Sequence, residues 1–130
     1  MQENQDIEAV QAANLSFYRA FESLDVDRMA EVWAQDASVK CIHPGWPLLH
    51  GWDSIFGSWG RIFDTTTMMQ FSITEAEVSL EGDWAWVTCT ENLTSVVDGS
   101  VSQGVVQATN IYRKQEGRWL LVHHQGSPSM

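Results

Sequence analysis

Met69-Gln70-Phe71-Ser72-Ile73-Thr74-Glu75-Ala76-Glu77-Val78-Ser79-Leu80 decides the fold. Met69, Phe71 and Ile73 alternate with polar residues at the period of two that a half-buried strand requires. Ala76, Val78 and Leu80 then alternate in the opposite phase. A one-residue slip inside a continuous strand pattern is the mark of a β-bulge, placed here near Thr74-Glu75, and it predicts a sharply bent sheet.

Downstream of this strand the pattern stays β. Glu81-Gly82-Asp83 turns the chain into a strand from Trp84 to Val97, and Asp98-Gly99 is a strong two-residue hairpin signal. Gln115-Glu116-Gly117 makes a further turn, and a last strand runs from about Arg118 to Gln125. Pairing Val97 with Ser100 sets Glu91 opposite Val106, Cys89 opposite Ala108 and Val87 opposite Asn110. Pairing Lys114 with Arg118 sets Tyr112 opposite Leu120, Asn110 opposite Val122 and Ala108 opposite His124. One face then carries small and apolar residues with Glu91, Asn110, Leu120, Val122 and His124, and is expected to face inward. The other carries Trp84, Trp86, Thr109, Ile111, Trp119, Leu121 and His123, and is expected to form a homodimer contact.

Upstream the period is helical. Ile7, Val10, Asn14, Phe17, Phe21 and Leu24 fall on one stripe of a first helix. Asp25 and Asp27 suit the N-terminus of a second, over about 27–35, with Met29, Val32 and Trp33 as its apolar side. Ser38 to Ile42 reads as a short strand, followed by a rigid loop, His43-Pro44-Gly45-Trp46-Pro47. Gly51 precedes a third helix that buries Ile55, Phe56, Trp59, Ile62 and Phe63. Residues 1–130 form one α+β domain: three N-terminal helices packed on one face of a strongly bent antiparallel sheet.

The chain carries seven Lys+Arg against seventeen Asp+Glu, a net charge of −10. That balance opposes nucleic acid and anionic membrane surfaces as partners. The polar, acidic start lacks the features of a secretory signal, and no apolar run approaches a membrane span. Cys41 and Cys89 read as buried free thiols, so the expected location is the cytoplasm.

Leu24-Asp25-Val26-Asp27 and Val32-Trp33-Ala34-Gln35-Asp36-Ala37-Ser38-Val39 resemble the opening of the nuclear transport factor 2-like superfamily. Glu116-Gly117-Arg118-Trp119 with Val122-His123-His124 and Ser127 resembles its closing strand. Cys41-Ile42-His43-Pro44-Gly45-Trp46, with Gly51 and Trp59, looks like its SnoaL-like branch. The closing segment is also similar to the association domain of calcium/calmodulin-dependent kinase II. The resemblance implies a cone-shaped, cystatin-like fold with an internal pocket, and a small-molecule ligand. It is compatible with isomerase, cyclase or dehydratase chemistry, or with a non-catalytic association or ligand-sensing module.

His43 is the candidate general base, because the place before this proline resembles the position of the base in ketosteroid isomerase. The alternative is a histidine that hydrogen-bonds the rigid loop. The isomerase's enolate-stabilising tyrosine falls at Phe17, with Tyr18 adjacent, and its protonated aspartate has no counterpart. Glu91, Asn110 and His124 are polar residues on the inward face, to be satisfied by a ligand, by water or by one another. Where the kinase association domain has arginines, Glu91 and Asn110 stand, so an anionic ligand is not implied. Trp33, Trp59 and Phe63 are candidate pocket-lining groups, or plain core. No metal centre is expected: among Cys41, His43, His50, His123 and His124, the adjacent histidines point to opposite faces, and Cys41 with His43 supplies only two ligands. No phosphate loop or nucleophile motif appears, and no cofactor is expected.

Overall fold

The bend lies where the phase slip puts it. A computed structural model describes residues 2–129. Strand β3 (Thr66–Glu81) pairs antiparallel with β4 (Trp84–Val97), and Glu75-Ala76 bulges against the single residue Cys89 between the pairs Thr74–Thr90 and Glu77–Thr88. Glu75 takes φ +56°, the left-handed conformation that lets the strand turn without losing its inward phase. Ile73 and Val78 therefore face the same side, opposite Glu91 and Val87.

The hairpin from β4 to β5 (Ser100–Gln115) has the expected register, with Val97 opposite Ser100 and Glu91 opposite Val106. Asp98 and Gly99 both adopt positive φ, as a two-residue turn of the hairpin type demands. The next hairpin differs from expectation. Its loop is Glu116-Gly117 alone, so Gln115, not Lys114, pairs with Arg118, at the start of β6 (Arg118–Pro128). Tyr112 consequently opposes Leu121, and Asn110 opposes His124. An irregularity at Val122 restores the inward phase, so Leu121, Val122 and His124 are all buried. This slip corrects the face assignment: Trp119 is only 7% exposed and sits in the core, and Leu120 instead opposes Arg113.

Helix α1 (Gln2–Ser23) buries Val10, Asn14, Phe17, Tyr18 and Phe21. Helix α2 (Val26–Val32) is shorter than expected; the Asp25 carboxylate caps it by accepting from the Asp27 N–H at 2.9 Å, and Trp33 is already extended. Trp33 bridges to Leu121, and the Ala34 N–H donates to the Leu121 carbonyl at 2.9 Å. Strands β1 (Lys40–Ile42) and β2 (Leu49–His50) precede helix α3 (Trp52–Thr65). The strand order is β2-β1-β6-β5-β4-β3. Because β1 runs parallel to β6, the sheet is mixed; the antiparallel reading holds for β3 to β6. That parallel pair sets Cys41 beside His124 and carries the chain on to His43. Gly126 keeps the following loop close: a Cβ there would lie 3.1 Å from Pro44 Cγ and 3.0 Å from Val106 Cγ1.

Candidate functional site

Between the helices and the sheet, side chains from five elements or their ends meet in an aromatic shell. His43, Trp59, Glu91, Asn110 and His124 are each 3% exposed or less. The His43 ring lies 4.7 Å from Trp59 and 6.5 Å from His124, centroid to centroid. Phe17, Phe21 and Phe63 complete the surround of Trp59, at 6.0, 4.8 and 5.7 Å. The expected residues thus converge, with one exception. Trp33 is buried against Trp52, 6.1 Å away, on the α2 side.

A chain of hydrogen bonds runs across this interior. His124 Nδ1 meets Asn110 Oδ1 at 2.5 Å, and Asn110 Nδ2 donates to Asn14 Oδ1 at 2.9 Å and to the Tyr18 hydroxyl at 3.2 Å. Tyr112 donates to the same Asn14 oxygen at 2.7 Å, and Tyr18 donates to Glu91 Oε2 at 2.6 Å. The network assigns the tautomer: Asn110 Oδ1 can only accept, so His124 Nδ1 carries the proton and Nε2 is the basic nitrogen.

His43 is tied differently. Ser58 Oγ donates to the Ile55 carbonyl at 2.6 Å, so it accepts from His43 Nε2 at 2.9 Å, leaving Nδ1 as the lone-pair nitrogen of the neutral ring. Cys41 Sγ lies 3.7 Å from Nε2 and 3.9 Å from Nδ1.

Burial sets the protonation states. It pushes His43 down to about 4, with the Arg61 charge adding to the effect. It pushes His124 down to about 3, with His43 and His123 contributing. Both imidazoles are therefore neutral at pH 7. Burial pushes Glu91 up to about 7, against the Tyr18 hydrogen bond, which favours the carboxylate. The Cys41 thiol is raised by burial alone, far from a reactive thiolate. Among the described residues, no cluster of three or more metal-ligating side chains occurs.

Two features lay outside the sequence reading of the site. Asn14 occupies the apolar stripe of α1 yet accepts from two buried donors, and Tyr18 joins Glu91 to Asn110. Helical spacing could have paired them, since Asn14 and Tyr18 are four residues apart on one face. Five surface grooves, of about 310–480 Å³, are lined by residues other than His43, Trp59, Phe63, Glu91, Asn110 and His124. The rings of His43, Phe63 and His124 pack around Trp59. One donor in that packing is unpaired: the indole N–H of Trp59 meets no hydrogen-bond partner among the described residues.

Residues 10–130 match the model of the SnoaL-like domain. The chain belongs to the SnoaL-like family. A proposed dehydratase of the NTF2-like family from Streptomyces avermitilis is 36% identical, with a TM-score of 0.93 over 98% of this chain and 99% of that one. A proposed calcium/calmodulin-dependent protein kinase type II association domain from Thiobacillus denitrificans is 30% identical, with a TM-score of 0.81 over 92% and 94%. F-box protein SKIP8 of Arabidopsis thaliana is 30% identical over 119 residues, 92% of this chain and 49% of that protein. This SnoaL-like chain thus spans about half the length of that relative. Structures of cystatin-like fold below 25% identity share the architecture alone. Among the described residues, no helix is long and apolar enough to cross a membrane.

Proposed function

We propose that this SnoaL-like protein binds a small, mostly apolar molecule with a few polar groups between helices and sheet, and moves a proton on it in a dehydration or isomerisation. The observation that carries this reading is Glu91. A carboxyl group with a pKa of about 7, held at 2.6 Å by Tyr18 in an aromatic interior, is matched to acid–base work at neutral pH. His43, at about 4, is a weaker base than Glu91. The base assignment therefore moves from His43 to Glu91, and His43 becomes a positioning residue beside Trp59. The Glu91 carboxylate takes a proton from carbon next to a carbonyl. The unpaired Trp59 N–H is the donor available to the developing oxyanion, while the Tyr18 hydroxyl, already donating to Glu91, holds the carboxylate in place. In a dehydration the same proton leaves with the departing hydroxyl as water. Because aromatic side chains fill the interior, binding requires some of them to move aside. The 36% identical NTF2-like relative described as a proposed dehydratase supports this class.

The test is a turnover screen of small β-hydroxy carbonyl compounds, with native mass spectrometry of the purified protein to find a retained ligand. Glu91→Gln is expected to keep ligand binding and to lower kcat by roughly 10²–10⁴-fold, with loss of a pH-rate limb near 7. No retained ligand and no turnover across the screen would overturn the proposal.

A second reading, an association module, is favoured by the outer sheet face, where Trp84 and Trp86 are 45% and 41% exposed. We place a homodimer contact there, through Trp84, Trp86, Thr109 and Ile111 but without Trp119. Sedimentation should give about twice 14.7 kDa; a concentration-independent 14.7 kDa would remove the dimer. The buried free thiols of Cys41 and Cys89 suit the reducing cytoplasm.

A further inference from the structure

The sparse positive charge of this chain is not evenly placed. Of its five arginines, Arg19, Arg28 and Arg118 line a single groove of about 400 Å³ between α1, α2 and the start of β6. The sequence sets this up locally. Leu15 and Arg19 are one turn apart on α1, and Arg28 and Val32 are one turn apart on α2. Arg118 and Leu120 lie on the same side of β6.

The other cations are engaged elsewhere. Arg113 pairs with Asp36 at 3.0 Å, Lys114 pairs with Asp6 at 3.1 Å, Lys40 Nζ donates to the Ser38 carbonyl at 3.1 Å, and Arg61 lies over Trp46. Among the described residues, the only carboxylate partner of a groove arginine is Glu22, 2.8 Å from Arg19. Arg118 donates to the Glu31 backbone carbonyl at 3.1 Å, which positions the guanidinium without neutralising it. Arg28 makes no hydrogen bond or ion pair with the described residues. Among the described residues Glu31, one turn from Arg28, is the only acidic one lining the groove, and its carboxylate pairs with neither Arg28 nor Arg118. On a chain of net charge −10, leaving two guanidinium groups unneutralised in one concavity focuses local potential for an anion.

The groove also has an apolar half. Leu15 is 52% exposed on α1, and Val32 and Leu120 are partly buried beside it. We infer that this groove is a binding site for a small organic acid: a carboxylate held by Arg28 and Arg118, with an apolar body of several carbons laid against Leu15, Val32 and Leu120. Guanidinium forks suit a planar carboxylate, and the volume falls within the range of small-molecule sites. The site lies outside the buried chain around Glu91 and does not depend on its chemistry.

Octanoate is the probe, followed by amide chemical shifts of the full chain. Saturable shifts at Ser16, Arg28, Val32 and Leu120 are expected. Octanamide and inorganic phosphate should each bind at least tenfold more weakly, because each supplies only half of the match. The double variant Arg28→Gln/Arg118→Gln should weaken octanoate at least tenfold, and Arg28→Lys/Arg118→Lys should recover part of the loss. These exposed changes should leave the thermal midpoint within about 2 °C. Equal binding of phosphate, an unchanged affinity in the glutamine variant, or shifts centred on Glu91 and His124 would each overturn the assignment.

Discussion

Lowering the pH from 6.5 to 4 is expected to destabilise the fold by on the order of 4 kcal/mol, through His43 and His124. Both imidazoles hold protons more weakly in the folded chain than in the unfolded one. Their contribution is therefore complete above about 6.5 and drains as the pH falls toward about 4 for His43 and about 3 for His124. Glu91 acts in the opposite sense. Its folded pKa of about 7 lies above the ordinary 4.5, so its contribution is complete below 4.5 and is lost as the pH rises through 7. Stability from these three groups should peak between about 6.5 and 7. Thermal melts from pH 7 to 4 should fall by roughly 10–20 °C. Glu91→Gln should flatten the alkaline side and steepen the acid side. A midpoint that stays level down to pH 4 in wild type and variant alike would mean that the histidines are solvated.

Trp59→Ala is expected to cost about 3–5 kcal/mol, read from the denaturant midpoint at constant m-value. The ring is fully buried among His43, Phe17, Phe21, Phe63 and His124, so the deletion opens a cavity that the sheet and α1 cannot both close. Trp59→Phe should cost distinctly less, on the order of 1–2 kcal/mol, because the indole N–H it removes is unpaired. If phenylalanine were as costly as alanine, the N–H would have to be bonded in solution, and its availability to a ligand would be lost.

The parts of the fold readable from sequence are those encoded by neighbours along the chain. The slip between Ile73 and Ala76 located the bulge, and Asp98-Gly99 set Glu91 opposite Val106, because a two-residue hairpin admits one register. Gln115-Glu116-Gly117 offered two loop lengths. The three-residue loop would turn Trp119 and Leu121 outward, whereas the two-residue loop of the fold leaves both buried. His124 faces inward with either loop length, because the irregularity at Val122 cancels the slip. The site was legible as a set of residues but not as a network. That Asn110 bonds His124 depends on the corrected register, and that Asn14 and Tyr18 join them depends on how α1 lies across the sheet. Neither is written in local periodicity. The parallel β1–β6 pair, which brings His43 to within 6.5 Å of His124, joins segments some eighty residues apart.

The protonation of Glu91 stands at the centre of the functional reading, and it can be measured without knowing any ligand. Carbon-detected NMR titration of the Glu91 side-chain carboxyl, assigned by its loss in Glu91→Gln, should give a midpoint near 7. A midpoint near the ordinary 4.5 would make Glu91 a permanently charged partner of Tyr18 at neutral pH, and would contradict its assignment as the proton-transfer group.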